Sequence, residues 1–229
     1  MQPLEQAEIF LRALSDPLPS QGIEALFLFG QTVDNQDSTF DTAEHLYRRF
    51  PGLPLLMLAG GPRSGYPGFD AWQKALTSRG VETDHIHPLP PTDSPILHTR
   101  IEALALVDYL KINPCRRVGV TAAPFHQVRA FMTAISVTLE AGLKVALHSC
   151  PGTPQPLLEA ASHSQGALSH QRRDLIAKEI LSIVSYPAKG DLAPTGAILD
   201  CLVERDNQDG KRGDRIGDGH LSDLHAGGR

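Results

Sequence analysis

Cysteine is scarce in this chain: Cys115, Cys150 and Cys201 are an odd number at wide spacings, with no C-x-x-C pair. A disulfide framework and a cysteine zinc site are not supported, and a reduced, cytoplasmic chain is the expectation. Long apolar runs are missing as well. No stretch approaches the roughly 18 consecutive apolar residues of a spanning helix. The opening Met1-Gln2-Pro3-Leu4-Glu5-Gln6 lacks the basic and apolar regions of a secretory signal. Neither secretion nor membrane insertion is expected. Positive charge is not in excess either, because 21 Lys and Arg stand against 26 Asp and Glu for a net charge of −5. Nucleic-acid binders normally carry a basic stripe, so no nucleic-acid partner is expected.

Several chemical signatures are also missing. The chain has no G-x-G-x-x-G or G-x-x-x-x-G-K-[ST] loop, no G-x-S-x-G elbow, no H-E-x-x-H and no D-x-D-x-D-G. Standard dinucleotide, Walker A, nucleophile-elbow, zincin and EF-hand chemistry therefore have no support. His85 and His87 form an H-x-H pair, and His126 and His148 follow nearby strand ends. No carboxylate or cysteine stands at a convincing ligand spacing, and no metal is expected.

What the chain does have is alternation. With 229 residues, 41% hydrophobic and 21% charged, it is long enough for one well-buried core with additions. An amphipathic start (Leu4, Ala7, Phe10, Leu11, Leu14) precedes the apolar block 25–29, which stops at Gly30. Such a short continuous block suits a strand buried on both faces. A helix over 39–50, a second apolar block at 55–59 ending in Gly60-Gly61, and a helix over 69–79 stopped by Gly80 follow. A weak strand near 85–87 leads through prolines to Thr99-Arg100-Ile101-Glu102, which has the form of a capping box opening a helix that Asn113-Pro114 closes. A strand at 118–121, a helix with Pro124 at its first turn and a strand at 144–148 complete the series.

Strands alternating with helices imply right-handed crossovers and a mostly parallel sheet with helices on both faces. The expected fold is α/β: a doubly wound, Rossmann-like three-layer sandwich with a C-terminal helical extension. The Rossmann-type domain is placed at 1–150. The extension, at 151–205 on the same core, has helices expected at about 155–165, 171–186 and 195–205. Residues 206–229, rich in Gly and Asp, are expected to form a disordered tail.

Open parallel sheets bind ligands beyond the carboxyl ends of their strands, where helix N-termini favour anions. The residues in those places are Gly30, the Gly60, Gly61 and Arg63 segment, Thr99 with Glu102, and Thr121 followed by His126 and Arg129. Gly60 and Gly61 either let an anion approach the backbone or make a tight turn. Thr99 and Glu102 either bind or simply cap a helix. His126 and Arg129 share one helix face. An arginine in the first turns of a helix opposes the helix dipole, so it is expected to meet an anion, either a carboxylate such as Glu102 or a bound phosphate.

The strand ending in Gly30, Leu58-Ala59-Gly60-Gly61, Gly80-Val81, Thr99 ahead of a long helix, and above all 118–130 (VGVTAAPFHQVRA) resemble the YdcF/SanA/ElyC family over about residues 23–150. Gly60, Gly61, Thr99, Thr121, His126 and Arg129 match its pattern. Glu102 stands where the family usually has asparagine, Ile101 where it often has glutamate, and the arginine common after the first strand is missing from Asp41-Thr42-Ala43-Glu44. The resemblance implies a Rossmann-like domain with a polar pocket at the strand ends, no firmly assigned reaction, and a link to bacterial envelope metabolism.

The leading expectation is a cytoplasmic protein that binds an anionic, nucleotide-like small molecule, with S-adenosylmethionine among the candidates and no cofactor assigned. Arg129 would be the charge partner, and Gly60 and Gly61 would supply backbone donors. A second is a hydrolase or transferase on a phosphorylated or envelope-derived substrate, with His126 as general acid or base. A third, a non-catalytic interaction protein, would use the C-terminal helices and tail.

Overall fold

The computed structural model describes residues 3–90, 97–163 and 166–217. Helix α1 (Pro3–Ser15) precedes five strands, β1 (Ala25–Leu28), β2 (Leu55–Leu58), β3 (Ile86–Leu89), β4 (Arg117–Thr121) and β5 (Ala146–Ser149). Helices α2 (Val33–Arg49), α3 (Phe69–Ser78), α4 (Thr99–Ile112) and α5 (Pro124–Glu140) connect them, with a short 3-10 turn at Thr83–His85 before β3. All five strands are parallel, in the order β3-β2-β1-β4-β5. The order runs outward from β1 to β3 and then restarts at β4 on the other side of β1. The ends of β1 and β4 therefore flank a crevice where the topology reverses. Helices cover both faces, α2 and α3 on one and α1, α4 and α5 on the other.

Both faces of the central strands are buried, which is why these strands are continuous apolar blocks rather than alternating ones. Phe27, Phe29, Phe40, Phe131 and Trp72 are enclosed in the core, with Trp72 edge-on to both Phe40 and Tyr66. Helix ends follow their local chemistry. At Gly80, φ is +91°, its N–H bonds the carbonyl of Thr77, and Val81 N–H bonds that of Leu76. This double closure needs a left-handed residue at the first position past the cap, and glycine fills it without a Cβ penalty.

Three expectations are corrected. Helix α2 begins at Val33 rather than near 39, because its first turns bury polar groups instead of an apolar stripe: Asn35 Nδ2 donates to Thr32 Oγ1 at 2.8 Å. Of the helix expected over 155–165, the described residues 155–163 form none, and 164–165 lie outside the described residues. An antiparallel hairpin, β6 (Ala160–His163) with β7 (Gly166–Gln171), stands there instead. Tertiary bonds override the alanine-rich local preference, as Ser162 N–H donates to Asp34 Oδ2 and Arg172 reaches Asn35 Oδ1 and the carbonyls of Asp34 and Pro156. Helices α6 (Arg172–Lys189) and α7 (Thr195–Gly217) follow.

The third correction concerns 206–217, which continue α7 instead of opening the expected tail. Arg205 is buried and pairs with Asp16, while Asp206 accepts from Arg12 and Arg205, so the helix is anchored where its apolar content runs out. The rest of the expected tail, 218–229, lies outside the described residues. No described helix is long and apolar enough to cross a membrane.

Candidate functional site

Consecutive residues past β1 hold the two central groups of the crevice. Gly30 N–H donates to Glu102 Oε1 at 2.6 Å. A Cβ on Gly30 would stand 3.0 Å from that oxygen and 3.2 Å from Leu97, so the close approach requires glycine. Gln31 Nε2 donates to the Phe29 carbonyl at 3.1 Å and meets His126 Nδ1 at 3.2 Å. With Gln31 assigned as donor, Nδ1 accepts and the imidazole carries its proton on Nε2. Nε2 lies 3.0 Å from Thr99 Oγ1, which also accepts from Arg129 Nη1 at 2.6 Å. Arg129 Nη2 donates to Glu179 Oε1 at 2.9 Å, and its Nε pairs with Oε2. One chain of hydrogen bonds thus runs from Gln31 through His126, Thr99 and Arg129 to Glu179.

Helix α5 is aimed by its own first turn. Pro124 takes N1, and buried Gln127 folds back so that its Oε1 accepts from Ala122 N–H while its Nε2 donates to the Val120 carbonyl and Ser149 Oγ. His126 and Arg129 then face the crevice together. Helix α4 does not start with the expected capping box. His98 is its cap, with no side-chain capping bond, and the His98 carbonyl receives the first helical N–H groups. This one-residue shift puts Thr99 inside the helix and frees its hydroxyl for His126 and Arg129, and Glu102 reaches Gly30 rather than the cap.

Glu102 is buried, and burial pushes its carboxyl up to about 8, against the pull of the Gly30 N–H and of the Arg129 and Arg63 charges. It therefore holds its proton at neutral pH and loses it just above. The His98 imidazole is pushed down by burial, with Arg129 and Arg100 adding to the effect against Asp191. A hollow of about 30 Å³ lies among Gly30, Gln31, Glu102 and His126. It adjoins a polar cavity of about 320 Å³ between α4, α5 and α6, with His98, Arg129 and Glu179 bordering both.

Of the residues singled out in the sequence, Gly30, Thr99, Glu102, His126 and Arg129 come together. Gly60, Gly61, Arg63 and Thr121 line neither space. Gly60 and Gly61 make an exposed turn: Gly60, with φ +103°, accepts from Phe69 N–H, and Gly68 packs so closely that a Cβ there would stand 2.9 Å from Gly61. Their expected role as backbone donors to an anion gives way to that of a strand-to-loop turn. Arg63 pairs by backbone with Tyr66 and donates to the Ala59 carbonyl, and its charge acts on Glu102 from a distance. Thr121 is fully buried at the end of β4, where its hydroxyl has no partner among the described residues.

Arg129 meets an anion, as expected of an arginine in the first turns of a helix, but the anion it bonds is Glu179 rather than Glu102. The signal for it was a carboxylate four residues from each of two apolar positions, Leu175 and Ile183, on what becomes the buried face of α6. Gln31 carried no signal beyond its place after a strand end. Among the described residues, no group of three or more His, Cys, Asp or Glu stands close enough to hold a metal.

The site and sheet define a Rossmann-like α/β protein with a polar crevice at its strand-order reversal. No family model matches the chain, and no curated protein matches it.

Proposed function

We propose that this is a YdcF-like cytoplasmic protein that binds an anionic, nucleotide-like small molecule at the strand-order reversal, with S-adenosylmethionine among the candidates and a link to envelope metabolism. The observation that carries the reading is the hydrogen-bonded chain from Gln31 to Arg129 opening onto the 320 Å³ polar cavity. Arg100, Arg129 and Lys178 line that cavity, and Lys178 has no ion-pair partner among the described residues. A space of this size lies at the lower end of small-molecule sites. Calorimetry against nucleotides, sugar nucleotides and S-adenosylmethionine tests the reading. Saturable binding that Lys178→Ala weakens about fivefold is expected, and an absence of saturable heat from the whole panel would overturn it.

A second reading, a hydrolase or transferase on a phosphorylated or envelope-derived substrate, is favoured by the pairing of two protonatable groups on adjacent backbone positions. Glu102 on Gly30 is protonated at neutral pH, and His126 on Gln31 presents a defined tautomer. A broad screen with phosphorylated and acylated substrates tests it. Turnover abolished in His126→Ala is expected, and undiminished turnover would remove the imidazole from the chemistry.

A further inference from the structure

A third space, about 230 Å³, lies between α1, α5 and α6. Its walls include Phe10 and Leu14 of α1, Phe125 and Val128 of α5, and Ile176 and Ile180 of α6. Leu14 and Ile180 remain exposed, so the groove is open to solvent. Along α6, Lys178 and Ser182 border the polar cavity while Ile176, Ile180 and Ile183 border this groove, which puts the two spaces on opposite flanks of the helix. Glu179 faces α5 between them, where it pairs with Arg129. It borders all three spaces, and Phe125 borders both groove and hollow. The Glu179 carboxylate is thus the partition between an apolar groove and a buried arginine. Arg129 spends only three of its five N–H donors among the described residues, one on Thr99 and two on Glu179.

We propose that the site takes a single-chain amphiphilic anion, whose head replaces the Glu179 carboxylate on Arg129 and whose chain fills the groove between α1, α5 and α6. The proposal rests on the anion-binding reading above and specifies its ligand class. A carboxylate or phosphate offers two oxygens to the Nε and Nη2 edge of the guanidinium in the geometry that Glu179 now uses. The displaced Glu179 stays beside the polar cavity, where Lys178 has no ion-pair partner among the described residues, so the exchange does not strand its charge in an apolar setting. A head on Arg129 lies next to Thr99 and His126. The chain supplies what the groove lacks: a dry apolar cavity of about 150 Å³ accepts benzene, so this groove has room for roughly eight carbons.

The test is titration calorimetry, below micelle concentrations, with straight-chain carboxylates from acetate to decanoate, alkyl phosphates from ethyl to octyl, and octanol. Affinity should climb about threefold per methylene and level off near eight carbons. The two series separate a carboxylate head from a phosphate head. Ile180→Asn, a change at the exposed rim, should flatten the chain-length dependence while leaving acetate and ethyl phosphate unchanged. Glu179→Gln keeps an acceptor for Arg129 and should tighten every anion about tenfold, with no change for octanol. Affinity independent of chain length, octanol binding as tightly as octanoate, or a chain-length effect that survives Ile180→Asn would each overturn the proposal. If nucleotides bind and long-chain anions gain nothing, this inference alone fails. If no anion of any length binds, the anion-binding reading fails with it.

Discussion

Two buried guanidinium–carboxylate pairs join the C-terminal helices to the parallel-sheet unit, and they are built differently. In α7, Arg205 uses all five N–H donors: on both oxygens of Asp16, on the Leu147 carbonyl and on Asp206. Asp16 in turn accepts from Ser149 N–H. Where α6 docks, Arg129 of α5 pairs with Glu179 and uses three donors among the described residues, all on the side chains of Thr99 and Glu179 and none on backbone. A saturated pair is a clamp, because any change leaves buried charge unpaired and nothing remains to recruit a ligand. An unsaturated pair beside three cavities keeps donors to spare for a ligand, which makes it the candidate site.

The contrast is broken most directly by cutting the clamp. Asp16→Ala should cost about 4 kcal/mol in denaturant unfolding, the usual cost of stranding a buried guanidinium. Glu179→Gln, which keeps an acceptor, should cost clearly less. If the two rank the other way, the assignment of clamp and site is reversed.

A smaller effect concerns Glu102. With its folded value raised from 4.5 to about 8, the folded state holds a proton that the unfolded chain has released between those limits. Parent stability therefore falls as pH rises through that window, and the loss is complete above about pH 8. Glu102→Gln escapes the loss: unfolding free energies should coincide near pH 4.5 and favour the variant at pH 9 by about 5 kcal/mol. An equal offset at both pH values would show that the carboxyl is charged in the fold.

Gly30→Ala should cost about 2 kcal/mol, because a Cβ would press on Glu102 and Leu97, and it should shift the Glu102-linked pH profile; Thr121→Val tests the opposite case. Removing a buried hydroxyl that has no partner among the described residues should stabilise by about 1 kcal/mol. Binding titrations of the valine variant should match the parent, and weakened binding would return Thr121 to the site.

The fold was largely legible because both of its signals are local. Short apolar blocks ending at Gly30 and Gly60, and breakers at Gly80 and Pro124, each reflect backbone constraints that act within a few residues. The site was legible only in its strand-end half. Gly30, Thr99, Glu102, His126 and Arg129 follow from where parallel strands end, whereas Gly60 and Gly61 misled because one dipeptide serves equally as a tight turn. The hairpin of β6 and β7 was missed for a related reason, as its alanines favour helix locally while Asp34 and Arg172 hold it from elsewhere in the chain.

By itself, then, the order of residues determined the strands, the crossovers and the crevice where they reverse, since periodicity and turn chemistry need no distant partner. Tertiary packing alone decided that Glu179 answers Arg129 from fifty residues away, that Thr99 serves His126 rather than a helix cap, and that Glu102 keeps its proton. Charge and protonation depend on what surrounds a group in three dimensions, and only the closed fold sets how much water each one loses.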